Sequence, residues 1–469
     1  MKTFELGTRR SSLVAVTFAV VALGSSRASA QEWLKDRQYQ EGAGVRTGDL
    51  ELHPGLGGEV GYDSNYLLRS HKTGFSNSAP TSPVEGAAVL RITPSLSLST
   101  LGAQRKEGDV DVAPPTIKFR MGLAGTYRHF FGAKVIEDQR NVSANVSARL
   151  DVLPEKPIGF GVFGGYERTI RPSTAGNPDL SFNRNDLSAG GELVMQPGGG
   201  TLDWRLGYQF RASLFEDTLG VPYTNTNHEI FTKGRWRFRP RTALLYDASF
   251  RWLNYSEKQR ATTVLNNGSP TRARLGLTGL VTPRLSFLGI AGYGTTFFDD
   301  GKALTVRQFD SVIGQAELRY FLSAAPDSPD QPVSLTVSSV ALGYNRDFQT
   351  SFLGNYYGLD RGYLKFVYMF GGRFLLSAEG GVGAIQYPEV FATGTNAQVA
   401  DKFTDIRADA TLFGEYRFTS SFGLNTTLTY IENFSNKQLP LGTASPGTAG
   451  LFDLSWRRFE AFLGARWFL

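Results

Sequence analysis

Four histidines, His53, His71, His129 and His228, are the only side chains of this 469-residue chain that titrate near neutral pH without help from their surroundings. No two of them stand at the spacing of a metal-binding pair. There is no cysteine, so disulfides, thiolate metal sites and anchoring through a lipidated N-terminal cysteine are excluded. A Ser–His or Asp–His set could still assemble from distant residues, but no segment resembles a barrel phospholipase or a barrel protease. The sequence therefore reads as a protein that is not an enzyme and carries no cofactor and no metal. Gly198–Gly200 and Gly371-Gly372 lack the following Lys-Ser/Thr and helix of a phosphate loop, and read as turns.

What the sequence supplies in number is arginine at alternate positions. Arg205 and Arg211 fall in one segment, Arg235, Arg237 and Arg239 in the next, and Arg272 and Arg274 two segments on. Arg120, Arg319 and Arg407 occupy the same kind of position elsewhere. Guanidinium rows on one wall of a pore select an anionic or heavily hydroxylated solute. The bland alternative is a solvated wall whose arginines pair with neighbours such as Asp203 and Asp247, because ion ladders are common in wet lumens. The sequence leaves both readings open.

The elements that must hold these residues are strands. In Thr116–Phe131, Ile117, Phe119, Met121, Leu123 and Tyr127 oppose Lys118, Arg120, Thr126 and Arg128. In Thr201–Phe215, Leu202, Trp204, Leu206, Tyr208 and Phe210 oppose Asp203, Arg205, Gln209 and Arg211. In Phe403–Phe418, Ile406, Ala408, Ala410, Leu412 and Tyr416 oppose Asp405, Arg407, Asp409 and Glu415. A period of two with one greasy side is a strand. About eighteen such segments follow from Leu50 to Leu469, to within about two. They include Leu50–Leu68, Leu180–Met195, Arg307–Ser323 and Val333–Arg346, the last with a change of parity near Ser338-Ser339 that reads as a bulge.

The connections sort by strand parity. Leu153–Pro157, Gln196–Gly200, Arg239–Arg241, Thr282–Arg284, Gly371-Gly372 and Thr419–Ser421 are tight and rich in turn formers. Ser70–Val84, Ser256–Gly268, Pro388–Ala400 and Ser435–Gly450 are longer and polar. Leu101–Pro115 breaks this alternation by its length. Short periplasmic turns alternating with longer outer loops are what an outer-membrane barrel requires. The fold expected is all-β: a transmembrane antiparallel up-and-down β-barrel. A lipid-facing Arg at mid-bilayer costs about 2–4 kcal/mol, so the charged rows must point inward. Trp204, Trp236, Tyr255, Tyr320, Tyr368, Tyr416 and Trp467 sit toward strand ends, as interfacial girdles do; the alternative is a sugar-stacking track inside the pore, and parity favours girdles for most of them.

Met1–Ala30 has a basic start (Lys2, Arg9, Arg10), an apolar core at Leu13–Leu23 and a small-residue Ala28-Ser29-Ala30 site, the pattern of a secretory signal. Gln31–Asp49 reads as a short periplasmic lead-in to a barrel spanning 50–469. The formal charge of +6 includes Lys2, Arg9, Arg10 and Arg27 against Glu5, and falls to +3 without them, too modest to argue for nucleic acid.

Phe459–Leu469 reads FEAFLGARWFL, with Phe459, Ala461, Leu463, Ala465, Trp467 and Leu469 on one apolar face. The run of Gly464, Trp467 and Leu469 resembles the C-terminal signal by which outer-membrane barrels are recognised for assembly, although Phe462 stands where a polar residue is usual. That resemblance implies the barrel assembly machinery as a partner and outer-membrane lipid as the surroundings. Gly58–Leu68 reads GEVGYDSNYLL, and its Tyr62-Asp63-Ser64-Asn65 core resembles a recurring signature of the β-barrel porin 2 family. Some members, notably in myxobacteria, accompany exopolysaccharide export machinery. The resemblance implies a conduit for a polysaccharide working with a periplasmic polysaccharide-export protein; a general or substrate-selective porin is the alternative.

Overall fold

The computed structural model describes residues 44–71, 84–100, 116–170, 183–216, 222–261, 263–299, 308–322, 338–393, 395–440 and 451–469. The signal segment, most of the lead-in and the Leu101–Pro115 connection lie outside the described residues. The alternating segments form the strands β1 (Leu50–Asp63), β2 (Ala87–Thr100), β3 (Ile117–Phe131), β4 (Asn141–Val152), β5 (Ile158–Thr169) and β6 (Arg184–Met195). They continue as β7 (Leu202–Phe215), β8 (Asn225–Arg239), β9 (Thr242–Tyr255), β10 (Gly268–Thr282), β11 (Leu285–Phe298) and β12 (Gln308–Phe321). The last are β13 (Ser339–Ser351), β14 (Asn355–Phe370), β15 (Phe374–Tyr387), β16 (Phe403–Arg417), β17 (Phe422–Phe434) and β18 (Trp456–Phe468).

Each strand pairs antiparallel with its neighbours in sequence, and β1 pairs with β18 from Gly55 opposite Phe468 to Asp63 opposite Glu460. The sheet is thereby closed, an eighteen-stranded up-and-down barrel. Closure leaves no free edge for the bilayer to solvate, which it cannot do. Past Leu469 the edge of β1 would be bare; Val45–Thr47 folds back and pairs with Leu52–Leu50 there. The lead-in thus contributes a short strand instead of remaining wholly a polar extension.

The pleat puts the apolar row outside. Val60, Leu342, Leu364, Val382 and Leu463 are each more than half exposed, although all are aliphatic and on strands. A contiguous exposed apolar surface of this kind marks a lipid interface. Trp236, Tyr320, Tyr416 and Trp467 border this belt at the end that carries the chain termini and tight turns. Tyr127, Tyr208, Tyr293, Tyr344 and Tyr430 border it at the other end, each bonded to a polar neighbour: His129, His228, Asp310, Asp360 and Glu432 respectively. An aromatic ring with one wet tip suits that boundary. Together with closure, the belt defines an outer-membrane β-barrel. Tyr255 departs from the expected girdle. It points inward from the end of β9 and is buried in a cluster with Leu253, Ala261 and Leu265, because strand parity there places odd residues inside.

Two boundaries also differ from the sequence reading. β1 ends at Asp63 and not near Leu68, because the Asp63 carboxylate accepts the Asn65 N–H and turns the chain. β13 runs from Ser339 to Ser351 with unbroken register against β14, and the segment before Ser338, on which the expected bulge depends, lies outside the described residues. Above Gly314 and Arg346, however, the ladder between β12 and β13 stops, although β12 continues to pair with β11 and β13 with β14.

Candidate functional site

The inner face of the barrel carries the chemistry. By strand parity nine of the ten arginines singled out above lie on the face opposite the exposed apolar row: Arg120 on β3, Arg205 and Arg211 on β7, Arg235 and Arg237 on β8, Arg272 and Arg274 on β10, Arg319 on β12 and Arg407 on β16; the tenth, Arg239, ends β8 at the turn. Register decides their partners. Arg120 lies 3.7 Å from Asp151 of β4. Arg205 reaches Asp203 and, across the strand, Glu192 of β6, both at 3.1 Å. Glu192 also takes Arg149 of β4 at 2.5 Å, so one carboxylate links three strands. Arg211 stands 3.9 Å from Glu229, which Arg251 of β9 approaches to 3.0 Å. Arg274 donates to Asp247 at 2.9 Å, Arg272 to Asp347 at 3.2 Å, and Arg319 to Glu317 at 2.8 Å. Arg407 donates to the Asn433 amide oxygen at 3.3 Å and lies over the Trp456 ring.

Arg235 and Arg237 differ. Neither has a carboxylate within ion-pair distance among the described residues, and the same holds for Lys233, two positions before Arg235 on the same inner row. Asp203 is directly opposite Arg235 in the ladder, but it is engaged by Arg205. Asp247 is opposite Lys233 and is engaged by Arg274. The two readings of the arginine rows thus divide between residues: most belong to an ion ladder, and β8 carries a run of three cations left over.

A second set, at the seam, was not singled out from sequence. Arg458 grips Asp63 through Nε and Nη2 at 3.0 and 2.5 Å, and reaches Glu460 at 3.1 Å. Arg91 sits between Glu59 at 3.7 Å and Glu460 at 3.9 Å, with its guanidinium over the Phe462 ring. Nearer the termini, Glu415 takes Arg466 at 2.6 Å and Arg417 at 2.9 Å. The alternation identifies these residues as inward, but only the closing register brings β18 against β1 and β17.

The two walls differ in wetness. Side chains of Arg91 and Arg466 at the seam are 5% and 1% exposed, whereas those of Arg120 and Arg211 are 42% exposed. Arg91 and Arg466 are thus locked into buried contacts at the seam, whereas the Arg120 and Arg211 side chains are partly open. Removing one member of a buried ion cluster leaves an uncompensated charge, which costs about 3–5 kcal/mol. Glu415→Ala, which abandons two guanidiniums, is expected to lose that much stability in urea unfolding in lipid vesicles. Surface pairs such as Arg168 with Glu216 are expected to cost at most about 1 kcal/mol in the same assay.

The proposed assembly residues do separate things. Trp467 faces lipid and is 44% exposed. Gly464 faces inward, where a Cβ would come within 2.7 Å of Glu59 Cγ and 2.9 Å of Asn425 Oδ1. The Leu469 N–H donates to the Pro54 carbonyl at 3.0 Å, the last bond of the seam.

The four histidines are on separate elements. His53 points inward beside Glu51, His129 and His228 point outward to tyrosines, and His71 lies beyond β1 in a cleft lined by Glu432, Trp456 and Arg457. Burial depresses the pKa of His71, as does Arg457, against the pull of Glu432. Among the described residues no three His, Asp or Glu side chains group as a metal site would require.

The fold and inner wall define the class, an outer-membrane β-barrel. No family model matches the chain, so the porin 2 resemblance gains nothing from that comparison. No curated protein matches it either. Among solved structures the chain is similar to OpdQ of Pseudomonas aeruginosa, at 10% identity over 90% of this chain and 98% of that one, with a TM-score of 0.45. It is also similar to the FrpB iron transporter of Neisseria meningitidis, at 8% identity over 91% and 82% with a TM-score of 0.43. The anion-selective porin of Comamonas acidovorans aligns at 10% identity over 90% and 99%, with a TM-score of 0.36. Likenesses this distant carry no argument about what this chain transports.

Proposed function

We propose that this barrel is a passive outer-membrane porin for small solutes, and that its lumen prefers anions. The observation that carries the reading is the run Lys233, Arg235 and Arg237 on β8, with the carboxylates opposite it, Asp203 and Asp247, already committed to other cations. Cations without a partner attract counter-ions into a pore, whereas neutralised ladders do not. The inner arginines and the three cations of β8 would line the aqueous path.

The polysaccharide conduit is supported less well. The aromatic residues that would form a sugar-stacking track, Trp204, Trp236, Tyr320, Tyr368, Tyr416 and Trp467, share the outward-facing rows of their strands, and the inward rings Phe231, Tyr363 and Trp456 each lie against a charged side chain.

The test is conductance of the purified barrel in planar bilayers under a potassium chloride gradient. A reversal potential of the sign set by chloride is the expected result. A potassium-set potential overturns the anion preference, and absence of conductance overturns the channel. In cells, deletion that alters uptake of small anions while leaving surface polysaccharide unchanged is the outcome expected; loss of the polymer would favour export.

A further inference from the structure

The outer mouth contains contacts that a round barrel rim does not permit. Phe352, in the three-residue turn between β13 and β14, lies 5.5 Å from the Phe215 ring at the end of β7 and 4.4 Å from Tyr223, which precedes β8. The rings of Phe352 and Tyr223 are parallel to within 3°. β7 and β13 are six strands apart, which is roughly 29 Å along a wall with about 4.8 Å between strands. The turn must therefore leave the wall and lean across the opening.

Three further observations describe the same displacement. The β12–β13 ladder ends at Gly314 and Arg346, so the upper part of β13 is free to tilt inward. Phe348 of that part packs over Gly294 of β11 and beside Phe309, and Arg272 of β10 lies over its ring while donating to its carbonyl. Finally, the tip is clasped by the β9–β10 loop. The Asn266 N–H donates to Asn355 Oδ1 at 2.6 Å, the Asn355 amide donates to the Val264 carbonyl at 3.3 Å, and the Thr263 hydroxyl donates to the Phe352 carbonyl at 2.9 Å. Gly354 and Asn355 both have positive φ, 75° and 72°, which sets the sharp bend of the tip.

We propose that the β13–β14 tip is the size-limiting constriction of the channel at its outer mouth, with Phe352 the residue that decides which solutes fit. The inference rests on the channel reading. An aromatic side chain held by Phe215, Tyr223 and Tyr255, with backbone clasped on its other side, is a rigid obstacle and not a mobile loop. It narrows the opening on the side of the cation-rich wall, so solute size and charge are read in series.

The test uses the mature full-length barrel with Phe352→Ala, which empties the aromatic cage, and with Asn355→Gly, which removes the two clasp bonds made by the Asn355 side chain but keeps a residue that tolerates positive φ. Heat-modifiable migration on gels confirms that each variant is folded. Single-channel conductance and liposome swelling with oligosaccharides of graded size are then measured. The expected result is a conductance at least twice that of the native barrel in each variant, and entry of sugars at least one unit longer. A native barrel that conducts, with both folded variants unchanged in conductance and cutoff, overturns the constriction and leaves the channel reading intact. Failure of native and variant barrels alike to conduct overturns both.

Discussion

Deletion of Trp467–Leu469 is expected to leave the chain unassembled, with folded barrel in the outer membrane reduced at least tenfold as read by heat-modifiable migration and protease resistance of membrane fractions. The three residues are few, but they end the only strand that closes the sheet. Trp467 pairs with Leu56 on one side and Phe422 on the other, and Phe468 pairs with Gly55. The Leu469 N–H then bonds Pro54, and the Leu469 carbonyl receives His53 Nδ1 at 3.0 Å. Their loss bares the edge of β1 near one membrane interface, where unpaired backbone groups cost several kcal/mol each. It also removes a girdle residue, and it takes away the C-terminal segment that resembles the assembly signal. Trp467→Ala alone keeps the backbone ladder. Assembly retained in that substitution but lost in the deletion assigns the effect to the seam; equal loss in both assigns it to recognition of the aromatic residue. Normal assembly of the deletion would refute the seam as the determinant.

Replacing Arg235 and Arg237 together by Glu is expected to invert the ion preference of the pore. Each reversal changes the sign of a charge that has no carboxylate within ion-pair distance among the described residues. For an ion passing within about 4 Å in a water-like medium, one unit charge is worth about 1 kcal/mol, and a reversal about twice that. Salt at 0.1 M screens beyond about 10 Å, so the effect is confined to ions that pass along this wall. About 2 kcal/mol at contact is about thirtyfold, and screening of ions farther from the wall is expected to bring the shift in the anion-to-cation permeability ratio to about tenfold, measured from reversal potentials, and to shrink it further at 1 M salt. Reversing Arg274, which Asp247 neutralises, serves as the control with a structural penalty and a smaller selectivity change. An unchanged ratio in the Arg235/Arg237 variant would remove β8 from the conduction path.

Much of this protein was legible in its amino-acid order. Alternation with a period of two identifies strands and assigns each residue to one of two faces, because the pleat is a local property of extended backbone. The cost of an arginine in lipid then decides which face is inside, without any knowledge of neighbours. Thus Arg120, Arg205, Arg235, Arg274 and Arg407 could be assigned to the face opposite the apolar row of their strands, and Phe459–Leu469 could be placed as the closing strand.

What pairs with what was not legible in the same way. Ion pairs across a sheet depend on the relative register of two strands, and register is set by turns and by closure of the whole ring. Arg205 and Arg235 look alike in sequence, yet one is held by Asp203 and Glu192 and the other faces an acid already taken. Tyr255 looks like a girdle residue, yet parity carried up β9 turns it into the mouth. Phe352 gives no signal at all: a phenylalanine in a tight turn, whose contacts come from β7 and β9 at the far side of the opening. Sequence by itself determined strand type, strand face and the closing element, since these follow from local geometry and the solvent on each side. Only the tertiary structure decided which charges are cancelled, which remain, and how the mouth is narrowed, since these follow from distances between segments that the chain order leaves free.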